Sequence, residues 1–328
     1  MLQKSNISLL FTVLMVLGFL ASANAQPIVE KDFSKQIAVT TDNDRYLMQG
    51  KDQYYTNGIT INFITVQKNK KPSVLKQINN YEAGQKIYTP YSRKIYVPNQ
   101  IDRPVTGYLY AKFTQTKFIQ HNRFWQWGIS AGTIGNSSLG KNMQNKFHKL
   151  INVNSDWWGW IWNYQLKDEP GINVHGSYAF SVLNNQPSFI QLTPVTQATL
   201  GTNFTNVSQG VLIQLGKLNK LHQSAYWNAN TGGRSVQNGN SGTEVFFYYC
   251  PQVMYQVYNA TIQGGMFRKD KGPITSTPEP FVVTHQLGVM YAQSRYTLKL
   301  EADMQTKEAT TQRYNHAYGS IQVGYKFN

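Results

Sequence analysis

The chain has 328 residues, a formal net charge of +15 and a sequence pI near 9.6. Its one cysteine, Cys250, excludes an internal disulfide, so if a chain of this size is secreted, a large core or a membrane must hold it together. Only 14% of the residues are charged and 13% are aromatic, which is typical of an outer-membrane β-barrel, with a secreted β-sandwich as the alternative. The basic balance favours anionic partners, and in an exported protein phosphorylated lipid headgroups are better candidates than nucleic acid.

Residues 1–25 have the pattern of a secretory signal peptide. Lys4 supplies the positive charge, an apolar run follows, and Ala23-Asn24-Ala25 is a small-residue cleavage site. We therefore expect the mature protein to begin at Gln26 and to form a single domain over residues 26–328. A membrane anchor is the less favoured alternative, because the apolar run is short and ends in a good cleavage site. No later segment offers 18 uninterrupted apolar residues, so the sequence predicts no transmembrane helix.

Alternation of apolar and polar side chains predicts long β-strands. In the segment around Trp125, Trp127 and Ile129, these three residues fall on one face, and polar or very small residues fall on the other. Tilted strands of about 9–11 residues suit a bilayer crossing, with the polar face toward a lumen and the apolar face toward lipid. We therefore predict an all-β, outer-membrane antiparallel β-barrel of about 12 strands. The predicted strands are 35–44, 56–67, 105–116, 123–134, 171–183, 189–203, 206–217, 243–257, 258–268, 281–293, 294–305 and 317–327.

Three polar segments are predicted to connect strands. Residues 68–80 are basic, a second loop section runs from Gln85 to Pro104, and the low-complexity stretch 228–242 is predicted to be a mobile loop. One segment, Gly140–Ile151, has helical spacing of its apolar residues and is predicted to be a short helix within a loop.

The stretch from Asp42 to Gly58 is rich in carboxylate, amide and hydroxyl groups. If the runs on either side of it are neighbouring strands, Asp44 and Thr56 return to the same rim of the sheet. An oxygen-rich rim suits a hard cation or the orientation of a general base. A hairpin whose Asp, Asn and Gly residues only form turns is the alternative interpretation.

The predicted helix carries the histidine of greatest interest. Gln144 and His148 are four residues apart and therefore share one helical face. A helix inserted between two barrel strands can cover a cleft on the outer wall, where a membrane lipid is accessible. The sequence has no Gly-x-Ser-x-Gly or His-Glu-x-x-His motif for a serine or zinc hydrolase. A histidine base that activates water, with a cation or amides receiving the oxyanion, is compatible with these residues.

Several short blocks then occur in order along nearly all of the mature chain. They are Asp42-Asn43-Asp44 with Asp52 to Gly58, Gln85 to Pro90, Asp102-Arg103-Pro104 with Gly107 to Tyr110, Gln144-Asn145 with Phe147-His148, Gly159-Trp160 with Gln165 to Gly171, and His316 to Gly319. In these blocks the sequence resembles the outer-membrane lipid A 3′-O-deacylase family. The region from Trp157 to Tyr164 is unusually aromatic for that family, which is expected to affect which lipid fits.

The resemblance implies a function. It implies a 12-stranded barrel that hydrolyses the ester-linked 3′ acyloxyacyl chain of lipid A, with calcium and a histidine-activated water as in secreted phospholipase A2. His148 is implied as the base, and Asp44 as the residue that orients it or helps to bind Ca²⁺. Asn43 and Thr56 are implied as polar contacts, and Asn43 also as a calcium ligand. Two further residues are implied, namely Gln144 in the site and Glu169 as another calcium ligand.

The resemblance also implies a basic residue in the site, for which Lys86 and Lys94 are candidates. Other basic side chains in predicted loops are expected to pair with lipid A phosphates. These are Lys68, Lys70, Lys71, Arg93, Lys94, Lys141, Lys146 and Lys149. The expected partners are lipid A or lipopolysaccharide and other outer-membrane lipids, with no nucleic acid and with the protein acting as a monomer. A non-enzymatic barrel, either a small channel or an adhesin, is the alternative function, and a soluble periplasmic β-sandwich is a third interpretation.

Overall fold

A computed structural model describes residues 33–47, 53–67, 71–92, 95–150, 159–183, 189–232 and 243–328, with the backbone alone for residues 147–150. Its strands are β1 Lys35–Asn43, β2 Tyr54–Gln67, β3 Val74–Thr89, β4 Thr106–Ile119, β5 Arg123–Ile134, β6 Glu169–Phe180, β7 Ile190–Gly201, β8 Phe204–Lys217, β9 Glu244–Asn259, β10 Phe281–Gln293, β11 Tyr296–Gln305 and β12 His316–Phe327. Among the described residues, two α-helices accompany them, α1 Gly140–Leu150 and α2 Ala260–Gln263. The strands pair in antiparallel fashion with their neighbours in sequence, and β1 pairs with β12 to close the barrel. The predicted 12-stranded antiparallel barrel is confirmed.

One of the twelve predicted strands is wrong, and one strand was missed. β3 lies across segments that were predicted to be loops, because its polar residues face the lumen rather than water. Its residue Lys76, for example, is buried and donates hydrogen bonds to backbone carbonyls. The predicted strand 258–268 does not exist, because Asn259 ends β9 and caps α2 by accepting a hydrogen bond from the Thr261 amide.

The predicted alternation is confirmed on the barrel wall. Trp125, Trp127 and Ile129 of β5 are 38%, 42% and 49% exposed, whereas Phe124 and Ser130 are buried. The apolar face therefore points outward and the polar face inward, as a lipid-facing wall requires. Within the described part of the chain, no helix is both long and apolar enough to span a bilayer.

The two ends of the barrel differ in their connections. One end carries the start of β1 and the end of β12, and we call it the termini end. The other, which we call the loop end, carries α1, α2 and the long connection 135–168. Because outer-membrane barrels place their longer loops outside the cell, the loop end is assigned to the extracellular side.

An unusually long connection folds back into the barrel at the termini end. Residues 218–232, which we call the plug, follow β8. Leu221, Ala225 and Ala229 of the plug are fully buried in a cluster with inward-facing residues of the wall. The Lys76 ammonium donates to the carbonyl oxygens of Ala229 and Thr231 at 2.7 and 3.0 Å. Apolar packing and hydrogen bonds to the wall together fix the plug inside the lumen.

The first residue of β9 also holds the plug through hydrogen bonds. The buried Glu244 carboxylate accepts hydrogen bonds from the amides of Ala225 at 2.7 Å and Asn219 at 3.2 Å. Burial, together with Lys76 and Lys220, lowers the pKa of His222 to about 4, so this side chain is neutral near pH 7. The stretch 228–242 had been predicted to be a mobile loop. Its first part is hydrogen-bonded plug, and residues 233–242 lie outside the described residues.

We predict that the intact barrel does not conduct ions, because the plug occupies the termini end of the lumen. Replacing residues 219–231 with a glycine-serine linker is expected to produce open-channel currents in planar bilayers. The milder change Lys76→Gln, which removes the ammonium that holds the plug, is expected to produce brief openings. A wild-type protein that conducts steadily would contradict the assignment of the plug.

Candidate active site

A single rung of paired residues crosses the outer wall at the loop end. Asn43 of β1 pairs with Asn57 of β2, which pairs with Ile87 of β3, which in turn pairs with Gly107 of β4. Residues two apart on a strand share a face, and Ile37 on the same face as Asn43 is exposed. The rung therefore lies on the outer face of four adjacent strands, and we call the region above it the outer-wall cleft.

Asn43 and Asp44 lie at one end of the cleft. The Asn43 side chain donates to the Asn57 side-chain oxygen at 2.5 Å and accepts from the Arg45 amide at 2.8 Å. Asp44 is the first residue of a short 3-10 turn, and its carboxylate accepts a hydrogen bond from the Gln53 amide at 2.7 Å. Both side chains are buried. The predicted oxygen-rich rim is therefore formed by two consecutive residues held by the turn that follows β1.

Thr56 is placed next to the rung residue Asn57 by an irregularity in β2. The register between β2 and β3 shifts between Tyr55 and Asn57, so Thr56 is the extra residue of a β-bulge. Its hydroxyl is buried and lies 3.4 Å from the carbonyl oxygen of Ile87, to which it donates. A bulge re-aims a side chain relative to regular alternation, and such bulges are common beside active sites.

The helix α1 lies against the outer wall beside this rung. Gly140 at the start of α1 packs directly on Gly107, where an added Cβ would lie 3.0 Å from the Gly140 Cα and would collide with the Ser138 hydroxyl. The Gln85 side-chain amide donates to the Ser138 carbonyl oxygen at 2.5 Å. The predicted helix and its position on the outer wall are therefore confirmed.

The structure describes the two predicted site residues of α1 to different extents. Gln144 is buried, and its side-chain oxygen accepts a hydrogen bond from the Trp162 indole nitrogen at 2.8 Å. The backbone of His148 is helical, but its side chain lies outside the described part. The role of His148 as base stays a prediction.

Glu169 does not join the other predicted calcium ligands. It pairs with Ile134, which belongs to an inward-facing cluster, so its side chain lies on the lumen side of the wall. Its carboxylate packs over Gly265 and accepts from the Phe267 amide at 2.9 Å. Among the described residues, no group of three or more His, Cys, Asp or Glu side chains is arranged to hold a metal ion.

The donor chemistry at Asn43 and Asp44 nevertheless suits calcium. One carboxylate and one amide, both oxygen donors, are adjacent and buried at the cleft, and Ca²⁺ prefers hard oxygen ligands. Glu169 does not fit such a site, because it faces the lumen and bonds to a loop amide. Of the predicted calcium ligands that the structure describes, Asn43 and Asp44 are therefore the two that fit a site at the cleft.

The predicted basic residues are distributed over different parts of the molecule. Lys86 faces the lumen, where its ammonium lies 5.5 Å from the centre of the Tyr55 ring, so it is not in the outer-wall cleft. Lys71 lies in the turn between β2 and β3 at the termini end, away from α1. Lys141 and Lys146 are on α1, and Lys146 is exposed. Lys68, Lys70, Arg93, Lys94 and the Lys149 side chain lie outside the described part.

Sequence reasoning assigned no role to three residues that build this cleft. Gln85 and Asn57 occurred in the family blocks, but only the paired register shows that they line the outer wall. Trp162 appeared only as part of an aromatic stretch. The sequence could have indicated this contact, because a buried indole N–H requires a hydrogen-bond acceptor and Trp162 follows closely after the predicted helix.

We predict that Gly107→Val displaces α1 while the barrel remains intact. A side chain at this position collides with Ser138 and contacts Gly140, so the helix must lift from the wall. Limited proteolysis is expected to cleave the 135–168 connection at least several-fold faster, with the heat-modifiable gel shift of a folded barrel unchanged. Gly176→Val is the matched control, because an added Cβ there meets nothing within 4 Å. Equal cleavage of both variants would contradict this packing.

The chain is similar in sequence to one family of known proteins and in structure to solved outer-membrane barrels. The family model described as "Outer membrane protein LpxR" matches residues 9–327. LpxR from Salmonella typhimurium superimposes with a TM-score of 0.70 at 17% identity, covering 89% of this chain and 100% of that one. The β domain of the Bordetella autotransporter BrkA gives a TM-score of 0.47 at 8% identity, with 90% and 99% of the two chains covered. No curated protein sequence matches the chain. The chain belongs to the LpxR family of outer-membrane proteins, and it is a barrel of the lipid A deacylase family.

Proposed function

We propose that this protein is a calcium-dependent ester hydrolase that removes the 3′ acyloxyacyl chain of lipid A. Family membership supports the reaction class. The observation that carries the proposal is the position of the outer-wall cleft, which lies on the outer face of β1–β4 at the loop end. A lipid of the outer leaflet borders this face directly, whereas a soluble substrate would approach through the lumen.

His148 is the best candidate for the base, because the other five histidines lie elsewhere. His121 and His222 are at the termini end, and His285 is on the lipid-facing wall of β10, bonded to Tyr249. His175 faces the lumen and bonds to Ser130 and Thr199.

His316, at the start of β12, also faces inward, where its ring bonds to the Tyr55 carbonyl oxygen at 3.0 Å. Only His148 belongs to the helix that covers the cleft. The imidazolium form of histidine has an ordinary pKa of about 6.5, so much of the side chain is neutral near pH 7 and can accept a proton from water.

In the proposed reaction, His148 takes a proton from a water molecule while the water oxygen bonds to the ester carbonyl carbon. The tetrahedral intermediate then expels the alkoxide of the glucosamine hydroxyl, and His148 returns the proton to it. Asp44 and Asn43 would hold a calcium ion beside the scissile ester. When bound, Ca²⁺ supplies positive charge that stabilises the developing oxyanion. Thr56 contributes a polar contact from its bulge.

Cations for lipid A phosphates are available on the same helix. Lys141 and Lys146 lie on α1, and Lys146 is exposed. Phosphate groups of a lipid bound in the cleft would therefore meet ammonium groups at the rim, where charge-assisted hydrogen bonds are strong. The channel alternative finds less support, because the plug fills the termini end of the lumen.

The first test is hydrolysis itself. Mass spectrometry of lipid A is expected to show loss of the 3′ acyloxyacyl chain when the wild-type protein is incorporated in lipopolysaccharide-containing membranes. His148→Ala is expected to lower turnover by roughly 10²–10⁴-fold, the usual contribution of a general base. His121→Ala is the control and is expected to retain wild-type turnover, because His121 lies in a turn at the termini end. Normal turnover by folded His148→Ala would place the base elsewhere.

The second test concerns the metal. EGTA is expected to abolish hydrolysis and added Ca²⁺ to restore it, because the cleft offers oxygen donors. Asp44→Asn is expected to raise the calcium concentration required for half-maximal activity, since it removes the only carboxylate proposed for the site. Glu169→Gln is expected to leave that concentration unchanged, because Glu169 faces the lumen. Full activity in excess chelator would remove calcium from the mechanism.

A further inference from the structure

Gln144 is held in a defined orientation by a neighbour on the loop that follows α1. The Trp162 indole nitrogen lies 2.8 Å from the Gln144 Oε1 atom, and both side chains are about 99% buried. The indole nitrogen is only a donor, so the amide atom that faces it must be the oxygen. This contact therefore determines the orientation of the Gln144 amide, with Oε1 toward Trp162 and Nε2 away from it.

The other end of the amide has no partner. Gln144 Nε2 is buried and makes no hydrogen bond within the described part of the chain. A buried donor left unsatisfied is costly, and a catalytic role is one of the explanations for such groups in folded proteins. Here the unsatisfied N–H groups belong to a residue of α1, the helix that covers the outer-wall cleft.

Trp162 is itself rigidly positioned. It packs in a buried apolar cluster with Ile95, Ile101 and Val105, beside Ile87 of the cleft rung. Its ring also contacts the start of α1, because a Cβ added at Gly140 would lie 2.9 Å from the Trp162 Cη2 atom. The indole therefore cannot rotate away from Gln144 without disturbing this cluster, and the amide orientation is built into the fold.

We propose that Trp162 is a positioning residue that keeps the Gln144 Nε2 donor directed at the substrate, and that this donor stabilises the oxyanion of the ester. The inference rests on the proposed hydrolase function. An oriented donor that is free before the reaction needs no reorganisation when negative charge develops on the carbonyl oxygen. Without the indole donor, the amide can flip and present its oxygen, which repels an oxyanion.

The experiment is a double-mutant cycle on lipid A hydrolysis with Trp162→Phe, Gln144→Ala and the double variant. Trp162→Phe keeps an aromatic ring in the cluster but removes the N–H donor. It is expected to lower kcat about tenfold, the effect of one hydrogen bond, with little change in KM. Gln144→Ala is expected to lower kcat by roughly 10²-fold or more, as for removal of an oxyanion donor. Adding Trp162→Phe to Gln144→Ala is expected to cost nothing further.

Two additional variants separate positioning from a purely structural role. Gln144→Glu keeps an acceptor for Trp162 but lacks the N–H groups, so it is expected to be as slow as Gln144→Ala. Trp160→Phe alters an aromatic residue that packs against the same cluster without bonding to Gln144, and it is expected to keep wild-type kcat.

Independent, additive losses from Trp162→Phe and Gln144→Ala, or a fast Gln144→Glu variant, would overturn the inference while the hydrolase function stands. Absence of hydrolysis by the wild-type protein would overturn the proposed function and this inference with it. The heat-modifiable gel shift verifies that each variant is folded before its rate is compared.

Discussion

The alternation of side chains across the barrel wall is the constraint on which the rest of the structure depends. Each strand residue faces either lipid or the lumen, so a polar group on the outer face is costly unless protein covers it. Asn43, Asn57 and Gln85 are polar groups on that face at the loop end. Asn43 and Asn57 bond to each other, the turn after β1 donates to Asn43, and Gln85 donates to the Ser138 carbonyl oxygen just before α1. The cleft is therefore a protected polar site on an otherwise apolar wall.

In the lumen, unlike on the lipid-facing wall, polar side chains are common, and they form hydrogen bonds and ion pairs with one another. Tyr55 donates to Asp42, Tyr248 donates to Glu301, and Lys299 lies 3.1 Å from the same glutamate. Hydrogen-bonded networks of this kind brace the strands from within. At the termini end the plug completes the filling of the lumen. A rigid interior leaves the outer wall as the surface on which chemistry is proposed.

The sequence predicted those features that depend on local pattern. The alternation in β5 predicted a lipid-facing wall, and the apolar spacing in Gly140–Ile151 predicted α1 within one residue of its observed end. β3 was missed because Lys76 and its polar neighbours have the composition of a loop, and only the closed lumen makes their burial favourable. The placement of Glu169 on the lumen side also depends on register, since a shift of one residue reverses the face.

The candidate site was predictable in its residues but not in its connections. Family resemblance selected Asn43, Asp44 and Thr56, and the structure brings these three to one rim. The contact between Gln144 of α1 and Trp162 of the turn that follows is made through tertiary packing, which no periodicity in the sequence encodes. Lys86 is next to the rung residue Ile87 in the sequence, yet its side chain faces the lumen, because neighbouring residues of a strand point to opposite faces.

The plug also ties together the seam at which the barrel closes. Strands β1 and β12 come from opposite ends of the chain, and Ser34 bonds to Asn328 across a separation of 294 residues. Thr231 of the plug bonds to Gln36 of β1, and the Lys326 ammonium of β12 lies 3.4 Å from the Asn230 carbonyl oxygen. Pairing two strands so far apart in the sequence costs more conformational entropy than closing a hairpin. The plug therefore bonds to both strands of the seam. As a consequence, docking of the plug favours the correct register between β1 and β12 during assembly in the membrane.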